Sequence, residues 1–208
     1  SAVVSNLAPG QAVKLSSIAP LESAPGVTRR LIWGAGVLLS MTTLAPGAEI
    51  PEETLPAERL TMIMKGSVEE STGGGTVTMS ALDYEKMTPV SGHRERNDLL
   101  FLDKGMKSAV KAGPEGAELI ELFSPVPPAF LKAAGVSTGS QPEPPAGKPS
   151  IATATVTDLY TIPFTMLSSS EYARIIDGCR MQAGFLRIDP ATETGFQCQP
   201  EERLAIVL

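Results

Sequence analysis

Short stretches in which apolar and polar side chains alternate, or in which β-branched residues gather, recur along the first two-thirds of the chain. They are RRLIW ending at Trp33, GVLLSMTTL ending at Leu44, RLTMIMKG ending at Gly66, then SVEES, TVTMS, NDLLFLD, KSAVKA and AELIELF. Turn residues separate them, and runs of this length at this spacing predict an all-β sandwich or barrel. Gly73-Gly74-Gly75 lies between two runs and predicts a hairpin turn, where glycine's freedom at positive φ is useful. Strand periodicity in RLTMIMKG sends Arg59, Thr61 and Ile63 to one face and Leu60, Met62 and Met64 to the other. PAFLKAA, opening at Pro128 and stopped by Gly135, is the one stretch that reads as a turn or two of helix. The N-terminal SNLAPGQAVKLSSIAPLE mixes turns with short apolar runs and suits a covering arm.

Residues 137–150, STGSQPEPPAGKPS, are dominated by proline, glycine and serine and read as a linker. The segments on either side of it are related. Sliding the chain by 144 positions lays residues 30–64 on residues 174–208 without a gap, and nine of those 35 positions are identical where chance gives about two. The matches are Arg30/Arg174, Ile32/Ile176, Gly34/Gly178, Pro46/Pro190, Glu49/Glu193, Pro56/Pro200, Glu58/Glu202, Arg59/Arg203 and Leu60/Leu204. This predicts an internal duplication: residues 1–136 as a first barrel with its arm, 137–150 as linker, and 151–208 as the first half of a second barrel. The apolar RLAIVL at 203–208 would leave an unpaired edge, so something is expected to cover it; by analogy with the first copy, roughly 60–80 further residues would do so. The alternative is that residues 151–208 add strands to the first barrel or to a partner chain.

With 208 residues the chain can form one large or two small domains. A net charge of −6, with no Lys/Arg cluster interleaved with aromatics, argues against nucleic acid as a partner. No apolar run approaches the roughly 18–20 residues of a membrane span, so a soluble protein is expected. Ser1 leaves open whether it is cytoplasmic or exported after removal of a leader. Cys179 and Cys198 match no common zinc spacing and read as small buried thiols, and His93 is the only histidine.

Pro46-Gly47, Pro56-Ala57-Glu58-Arg59 with Gly66, and Pro89, His93 and Asn97 resemble the two signature segments of the cupin superfamily. APGVTRRLI at 24–32 and ELFSPVPPAFL at 121–131 further resemble small single-barrel cupins such as those of uronate and pectin catabolism. The resemblance implies a double-stranded β-helix, the jelly-roll barrel, and with the duplication a bicupin whose second copy is incomplete. It also locates the chemistry and shows it altered. The family's two loop histidines fall on Glu53 and Leu55, its acidic or amide ligand falls on Arg59, and only His93 is kept; in the second copy the positions are Gln197, Gln199 and Arg203. An arginine cannot be deprotonated and repels a cation, so no metal cofactor is expected.

On the cupin template Arg59 and Arg203 point into the barrel, where a guanidinium has to be paired. Two readings stand. In one, Arg59 meets Glu53 or Glu49, and Arg203 meets Glu193 or Glu202. In the other, the arginine offers its fork to a carboxylate ligand such as a sugar acid. His93 is a candidate general acid or base, although Arg94, Glu95 and Arg96 beside it also suit a structural or pocket-lining histidine. Candidate ligand-pocket residues are therefore Arg59, Glu53, His93, Arg203, Gln197 and Gln199. With Arg59 inward, the apolar outer faces of the two copies call for a partner: each other, a symmetry mate in a homodimer, or a further C-terminal fragment of the same protein.

Two functions follow, and the sequence leaves open whether the protein is an enzyme. One is a degenerate, metal-independent bicupin that binds a small, acidic or sugar-like ligand or serves in assembly. The other is a metal-dependent isomerase, lyase or dioxygenase acting on a carbohydrate or small organic acid, its site completed by residues beyond 208. A storage-type bicupin is disfavoured by the lack of amide and arginine richness.

Overall fold

The computed structural model describes residues 3–81, 96–137, 143, 145–192 and 202–207. The architecture is all-β, as the alternation predicts. Strands β1 (Leu21–Ala24), β2 (Val27–Trp33) and β3 (Leu38–Leu44) form an antiparallel meander. They are followed by β4 (Glu49–Thr54), the long β5 (Glu58–Thr72), β6 (Gly75–Ser80), β7 (Asp98–Leu102) and the longer β8 (Lys107–Ser124). A short helix, α1 (Pro128–Ala133), begins at the expected proline and ends before Gly135. Beyond it lie the two-residue β9 (Thr157–Asp158) and a meander of β10 (Thr165–Ser168), β11 (Glu171–Asp177) and β12 (Gln182–Ile188).

The main sheet runs β1-β2-β3-β8-β5-β7-β9, with β4 on β8 and β6 on β5. β5 and β8 serve both walls of this jelly-roll barrel. They pair from Glu58↔Ser124 to Thr72↔Ser108, while β7 takes the first half of β5 and β6 the second. The sequence pattern splits each of these strands in two, at Gly66 and Gly116. Both glycines adopt positive φ, and a Cβ on Gly66 would lie 2.1 Å from the Gly116 carbonyl oxygen. Backbones that close can bend together at a corner without losing the ladder, with bulges at Ile63/Lys65 and Gly66/Val68. Gly66→Ala is expected to lower stability by about 1–3 kcal/mol from backbone strain, with the carbonyl clash adding to that; chemical denaturation measures it.

Alternation along β5 places its residues as expected. Ile63 joins Val27, Leu44, Val68, Leu100, Leu102 and Leu119 in the barrel core, whereas Leu60, Met62 and Met64 join a second cluster on the outside. That outer cluster contains Leu39, Leu99 and Phe101 of the barrel together with Leu159, Ile176, Ala183, Leu204 and Ile206, so described residues of 151–192 and 202–206 cover the apolar outer face. The N-terminal arm lies elsewhere, over Trp33: Asn6 bridges Leu31 and Trp33, and the Trp33 indole donates to the Val4 carbonyl. β9 extends the barrel sheet through β7. Within the segment expected to be a linker, Gly147 and Ser150 donate backbone N–H groups to the Cys179 and Asp177 carbonyls.

Candidate functional site: a buried charge network in the barrel

The inward phase of four neighbouring strands carries polar side chains among the core apolar residues. Arg29 on β2, Ser40 and Thr42 on β3, Glu121 on β8, and Arg59 and Thr61 on β5 are all buried, as are Glu70 and Ser108 beyond the corner. Cross-strand register brings them together: Ser40 and Thr61 both lie opposite Glu121, and Arg29 lies opposite Thr42.

They form one chain of alternating charge. Arg29 donates through Nη1 to Glu121 Oε2, and through the same nitrogen to Thr42 Oγ1 at 3.1 Å. Thr42 in turn donates to Glu121 Oε2 at 2.5 Å. Glu121 Oε1 faces Arg59 Nη1 at 3.7 Å. Arg59 Nη2 donates to Glu70 Oε1 and lies 3.2 Å from Ser108 Oγ, and Ser108 donates to the same Glu70 oxygen at 2.7 Å. Burial disfavours the charge on Glu121, but Arg29, Arg59 and the Thr42 hydroxyl outweigh it and hold the carboxyl below its usual range. Burial likewise opposes the Arg59 charge, and Glu70 and Glu121 override it. Among the described residues, two guanidinium groups and two carboxylates balance in this network.

Among the described residues, three polar atoms at this centre have no hydrogen-bond partner: Arg59 Nε, Thr61 Oγ1 and Glu70 Oε2. One is a donor, one an acceptor and one can be either. Two clefts of about 250 and 400 Å³ flank Glu69 and Lys111 on the outside of the barrel, and no residue of the network lines them.

The sequence-derived site residues scatter. Arg59 is inward and paired, but with Glu70 and Glu121 rather than with Glu49 or Glu53. Glu49 pairs with Lys111 at the rim, Glu53 is exposed on β4, and Leu55 is core. Arg203 is exposed rather than inward, and residues 202–207 form no strand that would carry it into a barrel. Its expected partner Glu202 is engaged by backbone N–H groups of residues 35–37. His93, Gln197, Gln199, Glu193 and Cys198 lie outside the described residues. Asn97, the last residue of the second signature segment, donates from Nδ2 to the Ile63 carbonyl at 2.9 Å, beside the β5 bulge.

Glu121 and Arg29 were missed, yet both had a signal. Glu121 shares the strand phase of Leu119 and Phe123, and Arg29 that of Val27 and Leu31, all buried. Glu70 had none: Arg59 to Ile63 point inward on odd positions, and the two bulges switch the phase so that Val68 and Glu70 follow on even ones.

A second carboxylate group lies between the barrel and the C-terminal segment. Glu58, Asp103 and Cys179 bring ligand-type atoms within 4.8 Å of one another. Glu58, however, accepts the backbone N–H groups of Cys179 and Arg180 at 2.8 and 2.7 Å, and Arg180 faces Asp103 at 3.6 Å. Burial pushes the Glu58 carboxyl up despite those two donors, and burial with Asp103 and Glu58 pushes the Cys179 thiol up. This group is a contact between segments rather than an open ligand set.

An RmlC-like cupin from Shewanella frigidimarina matches at 16% identity over 55% of this chain and 90% of its own, with a TM-score of 0.45. KdgF from a Halomonas species matches at 14% identity over 59% and 99%, with a TM-score of 0.47. AerE from Microcystis aeruginosa matches at 12% identity over 77% of this chain and 60% of its own, with a TM-score of 0.51. The fold is a cupin-type jelly-roll barrel. No protein-family model and no curated protein sequence matches the chain.

A metal in this cupin-type barrel would need several converging imidazole or carboxylate donors. The carboxylates at its described centre, Glu70 and Glu121, are each neutralised by a guanidinium, and a divalent cation there would sit against Arg59. The described donor set does not fit a metal. Among the described residues, no helix is long and apolar enough to cross a membrane.

Proposed function

We propose that this chain is a metal-independent binding module that takes a small hydroxylated, sugar-like molecule at the polar centre of its barrel. The observation that carries the reading is the set of unpartnered buried atoms on Arg59, Thr61 and Glu70. Leaving such groups unsatisfied costs about 1–3 kcal/mol each, so the fold favours an occupant that supplies both donors and acceptors. Hydroxyl groups do both. A free carboxylate suits the centre less well, because Arg59 already faces two carboxylates and Glu70 Oε2 would repel a third.

Calorimetry on the full chain tests the reading with neutral monosaccharides, polyols and uronates, each with and without EDTA and with added Mn, Fe, Ni or Zn. The expected result is binding of a neutral sugar or polyol that EDTA leaves unchanged. Thr61→Val should weaken that binding several-fold while raising thermal stability, since it removes an unpaired hydroxyl. Binding confined to uronates, or dependent on stoichiometric metal, would overturn the proposal and favour the metal-dependent enzyme.

A further inference from the structure

The 144-residue offset recurs in the structure. Subtracting it from the bounds of β10, β11 and β12 returns those of β1, β2 and β3 residue for residue. The pairing registers agree as well: Leu21↔Arg29 corresponds to Thr165↔Ala173, and Trp33↔Leu38 to Asp177↔Gln182, with the same irregularity at Glu22/Ala24 and Met166/Ser168. Positive φ recurs at Gly10 and Ala154, and at Gly47 and Ala191.

The contacts between the two units obey the same offset in both directions. Glu58 of the first unit accepts the N–H groups of Cys179 and Arg180, in the turn of the second unit. Glu202, its equivalent, accepts those of Ala35, Gly36 and Val37, in the turn of the first, the latter two at 3.1 and 3.3 Å. The two turns are closed alike, Gly34 donating to the Val37 carbonyl at 3.0 Å and Gly178 to that of Met181 at 2.8 Å. Each turn opens with a glycine pressed on the opposing carboxylate: a Cβ on Gly34 would lie 2.2 Å from Glu202 Cδ, and one on Gly178 3.0 Å from Glu58 Oε1. Neither has positive φ, so the missing side chain serves the contact and not the backbone. Between the clasps, the equivalent pairs Leu39/Ala183, Met41/Phe185, Leu60/Leu204 and Met62/Ile206 meet in one apolar cluster. Contacts in which i touches j′ and j touches i′ are the mark of a two-fold, isologous interface.

We infer that the outer face of the barrel is a self-complementary docking surface whose partner is the second copy of the same unit, and that Glu58 and Glu202 are its reciprocal clasps. Each carboxylate closes on the turn of the other copy, and Gly34 and Gly178 admit it. This accounts for two of the identities across the repeat, Gly34/Gly178 and Glu58/Glu202, as residues of one contact used twice.

Hydrogen exchange on the full-length chain tests it. In Glu202→Ala, the amides of Ala35, Gly36 and Val37 should exchange at least tenfold faster, although residue 202 is distant in sequence and exposed enough for the variant to fold. In Glu58→Gln, the amides of Cys179 and Arg180 should do so. Gly34→Ala should lower the melting temperature, where an ordinary Gly→Ala change at negative φ raises it. Unchanged exchange at residues 35–37 in Glu202→Ala, or a stabilised Gly34→Ala protein, would overturn the proposal; if Glu58→Gln does not fold, these two variants decide it.

Discussion

Arg59→Ala is expected to destabilise the protein by about 3–5 kcal/mol, the cost of removing one partner from a buried ion pair. The loss comes from what remains. Glu70 would keep only the Ser108 hydroxyl, and Glu121 would keep Arg29 and Thr42 without its second guanidinium. Arg59→Lys should rescue little, since one ammonium cannot reach both carboxylates as the planar fork does. The pH dependence has a definite sign. The Glu121 carboxyl is held below its ordinary range in the folded protein, so its contribution is complete above the unfolded-state value and is lost as pH falls through the lower folded value. Acidification that neutralises Glu121 also removes the attraction that Arg59→Ala deletes. The stability difference between the two proteins should therefore be largest near neutrality and shrink below about pH 4, near the ordinary carboxylate range. Urea denaturation at a series of pH values measures it, and a constant difference would show that the network is not the cause.

Phe101→Ala is the second large effect, about 3–5 kcal/mol for a fully buried aromatic side chain. Phe101 sits on β7, where its ring packs in the cluster shared by the barrel and residues 151–192 and 202–206 and would touch a Cβ at Gly178. Its carbonyl also accepts the Ala154 N–H at 2.9 Å. The cavity should therefore loosen the C-terminal segment more than the barrel. Limited proteolysis is expected to cut the variant within residues 151–192 while leaving residues 21–81 intact. Equal susceptibility of both regions would mean that the outer cluster does not hold the segment to the barrel.

Most of the barrel could be read from the sequence because its strands alternate cleanly between a filled interior and a covered exterior. Arg59, Thr61 and Ile63 facing inward, and Leu60, Met62 and Met64 outward, are consequences of a period of two. β4 escaped notice because Glu49–Thr54 lies at the rim, where five of its six residues are exposed and the burial contrast that marks a strand is missing. The partners of Arg59 escaped for a different reason. Acids close in sequence or at family positions are not its partners, because Glu70 arrives through a glycine-bent corner and Glu121 through cross-strand register. Repeated identities were visible as matches, but that Glu58 and Glu202 act across the interface depends on how the two units sit, which no one-dimensional pattern contains.

The account rests on the charge network at the barrel's centre, and carboxyl carbon NMR of selectively labelled glutamates over a pH titration tests it most directly. Glu121 should stay ionised until well below the ordinary carboxylate range, and Arg59→Ala should move its midpoint upward. A Glu121 midpoint at or above that range, unmoved by the Arg59 substitution, would contradict the pairing on which the proposed binding centre depends.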